Sequence, residues 1–430
     1  MRQIVADQEI YITERPEGPF EEDQYCFINC AGEKVELQNS LAFYPDGIKS
    51  IAQYIGVSKR DELDFTVIRL DQAGICSAVY TKNMSCSEAV IFDRANSAHG
   101  NVQLLCVISK NANVFTPTAR EDIHRIAEAL AEEFKVPKDA ILLSCTGVIG
   151  VSLPMEAIIS GIQGLSNQLE YGKLSESAKA ILTTDRKEKV VSVQFGKAVL
   201  CGIAKGAGMI EPNMATMLVY LFTNVKVSKP KLDEILKAAV EPSFNCITVD
   251  SDTSTSDTTA IFTTNEVEIS EEELIDFERA VRAVCLKLSR DVVSQAEGVT
   301  KLIEIKVSSG SSYQQAKAYA KKIANSPLVK TAVYGADPNW GRIVMAIGKP
   351  DENTADQRIA PEDVQIKFLD QTVFDRNRQV ELDLERLSNE IKQSKTVTIE
   401  VVIGEPLYAA KVWGCDLTEE YIRINAEYTT

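Results

Sequence analysis

The chain has 430 residues and a formal net charge of −16, with 45% hydrophobic and 25% charged residues. This length suggests more than one ordinary core, and the composition is that of an average globular protein. The acidic balance argues against a nucleic-acid partner, and no apolar run is long enough to cross a membrane.

Residues 1–45 form the first predicted segment. They are acidic, contain Pro16, Pro19 and Pro45, and lack hydrophobic periodicity. We therefore expect an atypical N-terminal extension that lies outside the core. The N-terminus has neither the basic nor the apolar stretch of a signal peptide, so we expect a cytoplasmic protein.

Residues 46–215 form the second predicted segment, which contains both strands and helices. Apolar and alternating runs predict strands at DFTVIRL, ICSAVYTKN, AVIFDR, VQLLCVIS, AILLSCTGVIG, KVVSVQF and KAVLCGIA. Helices are predicted at REDIHRIAEALAEEF, with a capping box from Thr118 to Glu121, and at MEAIISGIQGLSNQL.

Residues 216–430 form the third predicted segment. Strands are predicted at VYLFTNVKV, AIFTTNEVEI, KLIEIKVSS, VQIKFL and TVTIEVVIG, and helices at KPKLDEILKAAV, SEEELIDFERAVRAVCLKLSRDVVSQA and SYQQAKAYAKKIANS. Ser270 and Glu273 predict a capping box for the long helix. Because strands often follow one another without a helix, we predict an α/β fold with mixed sheets, packed helices and two lobes.

Cysteine and histidine usage limits the chemistry. The ten cysteines are scattered, with no CxxC pair, so we predict reduced, mostly buried thiols and no metal site. The only histidines are His99, in a polar stretch, and His124, on the solvent side of a predicted helix. An acyl-transfer enzyme with so few histidines needs a base other than imidazole. No phosphate loop and no flavin or nicotinamide fingerprint is present, so no cofactor is predicted.

The stretch KGAGMIEPNMATMLVYLF runs from a Gly-rich loop into an apolar strand, and Thr216 stands at the junction. An N-terminal Thr can act as a nucleophile with its own α-amine, of pKa about 8, as the base. A Thr inside a chain gains that amine only if its hydroxyl attacks the Ala215 carbonyl and the bond is cut. The other interpretation is an ordinary strand start, because Thr favours strands.

Several segments resemble the ornithine acetyltransferase (glutamate N-acetyltransferase) family. KGAGMIEPNMATML resembles its processing site, and CTGVIG at 145–150 is similar to its Ser-Thr-Gly-Val-Ile-Gly segment. SFNCITVDSDTSTSD at 243–257, YGADPNWGRI at 334–343 and WGCDLTEEYIRINAEYTT at 413–430 also match family segments. These ordered matches extend from about residue 47 to the C-terminus.

The resemblance implies self-cleavage between Ala215 and Thr216, after which two fragments stay associated. Thr216 then takes an acetyl group from N-acetylornithine and gives it to glutamate, and the family suggests paired heterodimers. Thr146 and Gly147 correspond to the pair that stabilises the oxyanion. The remaining residues carried over are substrate contacts: Thr183, Lys205, Glu297, Asn425 and Thr430.

The polar run 250–259 is equally consistent with a loop near the site and with a cluster of turn residues. ADPNWGRI is interpreted as structural support.

The sequence also departs from the family pattern. Lys110 and Ser251 stand where the family has Gly, Ser256 where it has Asn, Cys145 where it has Ser, and Arg186 where Thr is usual. These departures put the substrate in doubt and leave three alternatives open. They are a paralogue that acts on other amino acids, a hydrolase or amidase with the same acyl-enzyme, and an uncleaved binding protein.

Overall fold

The computed structural model describes residues 10–12, 25–211, 217–354, 358–378 and 380–427. Within these residues the chain forms three β-sheets and eleven α-helices. The predicted mixed α/β fold is therefore confirmed.

The first sheet has three short antiparallel strands, in the order β1-β2-β3. They are β1 (Ile10–Ile12), β2 (Tyr25–Ile28) and β3 (Lys34–Glu36). Tyr25 and Phe27 are buried in the main core, and the Phe27 ring meets Phe195 edge-on at 6.3 Å between centroids. The expectation that residues 1–45 lie outside the core is wrong for residues 25–37, because Tyr25, Phe27 and Leu37 are buried in it.

The second sheet has nine strands, which lie on both sides of residue 216 in the sequence. They are β4 (Ile48–Gln53), β5 (Phe65–Tyr80), β6 (Asn101–Asn111), β7 (Ile141–Val148), β8 (Glu170–Tyr171), β9 (Lys189–Phe195), β10 (Ala198–Lys205), β11 (Leu218–Val225) and β12 (Thr258–Val267). The main order is β7-β6-β5-β12-β11-β10-β9, and β4 pairs with β5 and β8. The β6–β7 and β11–β12 pairs are parallel. The predicted boundary at residue 216 thus falls between two adjacent strands, β10 and β11, of one sheet.

The pairing of the long strand β5 with β6 is irregular in the middle of β5. The register of β5 with β6 shifts between Arg69 and Gly74. A Cβ on Gly74 would lie 2.3 Å from the Thr263 carbonyl oxygen, so only glycine fits there. Leu142 of β7 and Tyr220 of β11 belong to one buried apolar cluster.

The third sheet has five strands in the order β15-β14-β16-β13-β17. They are β13 (Leu302–Ser309), β14 (Val364–Phe368), β15 (Gln371–Asp375), β16 (Thr396–Ile403) and β17 (Tyr408–Cys415). The central core is continuous from β9–β11 of the second sheet to this sheet.

The helices cover the sheets. They are α1 (Glu88–Ser97), α2 (Ala119–Phe134), α3 (Met155–Ile162), α4 (Leu174–Ala180), α5 (Lys229–Val240), α6 (Glu271–Ser294), α7 (Tyr313–Ala324), α8 (Pro327–Tyr334), α9 (Trp340–Ile347), α10 (Leu384–Gln393) and α11 (Glu419–Glu427). Helix α6 begins with the predicted capping box of Ser270 and Glu273 and touches β2, β9, β10 and β17. It therefore joins all three sheets.

Two local predictions are wrong. The run AVIFDR is not a strand but part of α1, where Ala89, Val90 and Asp93 form a buried face at helical spacing. Helix α2 begins after Thr118 as predicted, but without the capping box, because the Thr118 hydroxyl donates to Asp122 instead.

Candidate active site

Three predicted site residues, Ala215, Thr216 and Thr430, lie outside the described residues. Their roles in cleavage, nucleophilic attack and substrate contact remain predictions. The structure does describe Thr146, Gly147, Thr183, Lys205, Glu297 and Asn425, together with the residues on either side of Thr216.

Both flanks of Thr216 are held by the residues that lead into β12. The Val249 N–H donates to the Ile210 carbonyl at 2.7 Å, and the Thr258 N–H donates to the Met217 carbonyl at 2.9 Å. The approach to β11 is therefore fixed immediately before and after the segment that contains Thr216.

Thr146 and Gly147 lie near the end of β7, against a bulge in β6. Thr146 is buried. Gly147 has φ of 137°, and a Cβ there would lie 2.2 Å from the backbone carbonyl carbon of Lys110. Lys110 itself has φ of 72°, and the β6–β7 register shifts between Lys110 and Asn111. Such bulges redirect the backbone and are common beside active sites.

Ser87 links this strand end to the loop before β12. Its N–H donates to the Thr255 carbonyl at 2.9 Å, and its hydroxyl donates to the Asn113 carbonyl at 3.3 Å. Asn113 follows the β6 bulge, and Thr255 lies three residues before β12. The two sides of the candidate site are thus bridged by one residue.

Lys205 ends β10 beside a buried ion pair. The Lys189 ammonium donates to Asp185 Oδ1 at 2.6 Å, and the Gly206 N–H donates to the same oxygen at 2.7 Å. Burial lowers the pKa of Lys205, while the charges of Asp185 and Asp257 raise it. The net effect is a lowered pKa, so the Lys205 ammonium depends on these two carboxylates to oppose the effect of burial.

Thr183 lies two residues before Asp185 and contacts its carboxylate. Its N–H donates to Asp185 Oδ2 at 3.3 Å. The charge of Lys110 also lowers the pKa of Lys205, after the larger effect of burial. The β6–β7 end and the end of β10 therefore lie within electrostatic range of each other.

We expect Asp185→Asn to destabilise the fold by about 3–5 kcal/mol, because Lys189 would become an unpaired buried charge. Burial alone would raise the pKa of Asp185, but the charges of Lys189 and Lys205 outweigh it and lower the pKa. A carboxyl whose pKa is lowered by folding stabilises above its unfolded pKa of about 3.9. This stabilisation is lost as the pH falls through the lower folded value.

Urea unfolding of both proteins from pH 7 downwards measures this effect. The deficit of the Asp185 variant should be largest at neutral pH and should shrink below pH of about 4. The matched control is Glu268→Gln, which breaks the exposed ion pair with Lys226 and should cost about 1 kcal/mol or less. Equal losses in the two variants would contradict the role given to Asp185.

Glu297 and Asn425 meet beside the Gly-rich loop. Asn425 Nδ2 of α11 donates to Glu297 Oε2 at 2.8 Å, and the Glu297 N–H donates to the Ala207 carbonyl at 3.0 Å. A Cβ on Gly208 would lie 2.6 Å from the Glu297 carboxylate, so a larger residue there would displace that side chain. A buried carboxylate therefore lies directly against the loop that follows Lys205.

Asp250 anchors the same loop. In the sequence it was only the first residue of the polar run 250–259 and was not predicted to be a site residue. Its carboxylate accepts from the N–H groups of Met209 and Ile210, both at 2.8 Å, and from the Tyr421 hydroxyl at 3.1 Å. The polar run 250–259 is thus a loop near the candidate site. The signal was the clustering of Asp, Ser and Thr in that run.

The structure contains no arrangement of three or more His, Cys, Asp or Glu side chains able to hold a metal, as far as the described residues extend. None of the ten cysteines forms a disulfide bond, and eight of them are buried. In the same part of the chain, no helix has the length and apolar character needed to span a bilayer.

The model of the ArgJ family matches residues 49–430. The "Arginine biosynthesis bifunctional protein ArgJ 2" of Clostridium acetobutylicum is 41% identical over 90% of this chain and 98% of its own length. The "Glutamate N-acetyltransferase Oat2" of Streptomyces clavuligerus is 37% identical over 92% of this chain and its whole length. The crystal structure of "Arginine biosynthesis bifunctional protein argJ" from Bacillus halodurans aligns with 48% of this chain and 98% of its own chain, at 33% identity and a TM-score of 0.44.

The family match and the two relatives compared by sequence show that the chain is an acyltransferase of the ornithine acetyltransferase type. It belongs to the ArgJ family. The family resemblance carried by the quoted segments is therefore confirmed, while the N-terminal residues 1–48 lie outside the family match.

Proposed function

We propose that the chain transfers an acetyl group from N-acetylornithine to glutamate through an acetyl-Thr216 ester, after it cuts itself between Ala215 and Thr216. The proposal is supported by family membership over residues 49–430, since relatives carry the names ArgJ and glutamate N-acetyltransferase. The observation that carries it is the position of two charged groups near the approach to β11. Lys205 pairs with Leu218 at the start of that strand, and Glu297 lies against Ala207 and Gly208 of the preceding loop.

Self-cleavage supplies the base that the sequence otherwise lacks. The Thr216 hydroxyl attacks the Ala215 carbonyl, the acyl group moves from nitrogen to oxygen, and water hydrolyses the ester. The products are the Ala215 carboxylate and a free α-amine on Thr216. Because β10 and β11 pair from Leu200 to Lys205, we expect the two fragments to stay associated, and we propose that two such heterodimers pair.

Acetyl transfer then proceeds in two half-reactions. The Thr216 hydroxyl attacks the acetyl carbonyl of the donor, and the α-amine accepts its proton and returns it to the departing ornithine amine. The ester that forms is attacked by the amine of glutamate, which releases N-acetylglutamate and the hydroxyl. We propose that Thr146 and Gly147 donate to the oxyanion in both steps.

The charged residues fit amino-acid substrates. The Lys205 ammonium suits a substrate carboxylate, and the Glu297 carboxylate suits a substrate ammonium. Asn425 holds the Glu297 carboxylate in place at 2.8 Å. Thr183 and Thr430 complete the proposed contacts.

The test incubates purified protein with N-acetylornithine, with and without glutamate, and measures ornithine, N-acetylglutamate and acetate. We expect ornithine and N-acetylglutamate in equal amounts only when glutamate is present. Acetate release at the same rate without glutamate would identify a hydrolase with the same acyl-enzyme. Turnover of other acyl-amino acids, but not of N-acetylornithine, would identify a paralogue.

A further inference from the structure

Asp257 is a buried carboxylate that the proposed mechanism does not use. Its side chain is 2% exposed, and Oδ2 has no hydrogen-bond partner. The Ser254 and Thr81 side chains hydrogen-bond to the carboxyl and favour its charged form, but burial raises its pKa more strongly. A nearby cation would offset part of the cost of the charged form.

The strand register places Asp257 close to Lys205. Lys205, Leu218 and Thr258 lie opposite one another on β10, β11 and β12. Lys205 and Thr258 are therefore two strand spacings apart, which is about 10 Å between their backbones. Asp257 directly precedes Thr258. Lys205 and Asp257 therefore flank the start of β11, which Thr216 leads into.

The backbone of Asp257 is fixed in that position. Its carbonyl accepts from the Thr81 N–H at 3.0 Å, and the neighbouring Ser254 carbonyl accepts from the Thr81 hydroxyl at 2.7 Å. A carboxylate on a loop held this way has little freedom to reach another partner.

Other charged groups around Lys205 are already paired. Asp185 accepts from Lys189 and from the Gly206 N–H, and Lys110 lies 3.5 Å from Glu62. Asp257 Oδ2, in contrast, is buried and has no hydrogen-bond donor.

We propose that Asp257 is a positioning residue whose buried carboxylate keeps Lys205 charged beside the start of β11, where that ammonium receives a substrate carboxylate. The assignment of the substrate rests on the proposed function, but the pairing of the two side chains does not. Burial raises the pKa of Asp257 and lowers that of Lys205, and the charge of each side chain opposes the shift of the other.

The test is pH-dependent acylation of Lys205 by a small trace-labelling reagent, measured by peptide mass spectrometry, with exposed Lys226 as the internal reference. Only the neutral amine reacts. In Asp257→Asn the amine loses a counter-charge, so its labelling curve should move to lower pH and labelling at pH 7 should be roughly tenfold faster. The control is Asp252→Asn, which removes an exposed carboxylate from the same loop and should leave the curve unchanged.

Kinetics give a second readout. In Asp257→Asn the alkaline limb of kcat/KM should move to lower pH, with KM for the carboxylate-bearing substrate rising more than kcat falls. A labelling curve that coincides with that of the wild type overturns the inference. A shifted curve in a protein that turns over neither N-acetylornithine nor glutamate supports the pairing and refutes the proposed function instead.

Should Asp257→Asn not fold, Lys205→Met tests the same pair. In Lys205→Met, Asp257 has no counter-charge. Its pKa is already raised by burial, and above that pKa its carboxylate must be charged while buried and unpaired. The contribution of Asp257 to stability is present at low pH, where its carboxyl is neutral, and is lost as the pH rises. The melting temperature of the variant should therefore fall more steeply with pH than that of the wild type. The double variant Lys205→Met, Asp257→Asn should remove this excess slope. A slope equal to that of the wild type in the single variant contradicts the inference.

Discussion

Thr216→Ala is expected to leave the polypeptide as a single chain of 47.4 kDa and to abolish acetyl transfer. Alanine has no hydroxyl, so neither attack on the Ala215 carbonyl nor formation of the acetyl ester is possible. Removing the nucleophile of a serine protease costs about 10⁶-fold in kcat, and a loss of this order is expected here. Intact-mass measurement and the N-acetylornithine assay measure the two effects separately.

Thr216→Ser is the matched control, because it keeps the hydroxyl and, once cut, the α-amine. We expect it to yield two fragments, 1–215 and 216–430, and to retain activity. Wild-type protein that turns over substrate at full rate while uncut would refute the amine-as-base mechanism. A Thr216→Ala protein that is cut and active would refute the nucleophile itself.

The sequence predicted regular elements well where periodicity was long. Helix α6 was predicted with its capping box, because 24 residues of helical pattern leave little ambiguity. The run AVIFDR was assigned to a strand because a short apolar stretch suits either structure. The helix is distinguished by a local cap, in which the Ser87 hydroxyl accepts from the Ala89 N–H, and by the buried carboxylate of Asp93. The Asp93 carboxylate accepts from the distant Leu143 N–H, a tertiary contact that the sequence does not show.

The candidate site was predictable only in part. The resemblance supplied Lys205, Glu297 and Asn425, but not the groups that hold them. Asp185 and Asp250 act through hydrogen bonds to backbone N–H groups in other segments, Gly206 for Asp185 and Met209 for Asp250. Such partners are set by the folded chain and leave no spacing signal in the sequence.

Two departures from the family pattern have a structural explanation. Lys110 and Ser251, where the resemblance predicts glycine, adopt φ of 72° and 65°, the left-handed region that glycine enters freely. The backbone is thus kept at a conformational cost on the order of 1–3 kcal/mol each. At position 110 the change also adds an ammonium 3.5 Å from Glu62, on the strand beside Gly147.

Gly147→Ala is expected to reduce kcat by about 10²-fold or more and to destabilise the fold by about 2–4 kcal/mol. The new Cβ would lie 2.2 Å from the Lys110 carbonyl carbon and 2.5 Å from the Asn111 nitrogen. These are backbone atoms, so β6 and β7 must separate at their ends. The oxyanion pair would then move relative to the start of β11.

Gly150→Ala is the control for Gly147→Ala. It adds a side chain at a positive φ without pushing β6 and β7 apart. Gly150 lies three residues further along, has φ of 78°, and would place its Cβ in open space. We expect it to lose about 1 kcal/mol and to keep its activity. Stability from urea unfolding and kcat for acetyl transfer should therefore diverge between the two variants. Because both substitutions add one methyl group at a left-handed glycine, equal losses of activity would mean that the β6–β7 end does not hold the oxyanion donors.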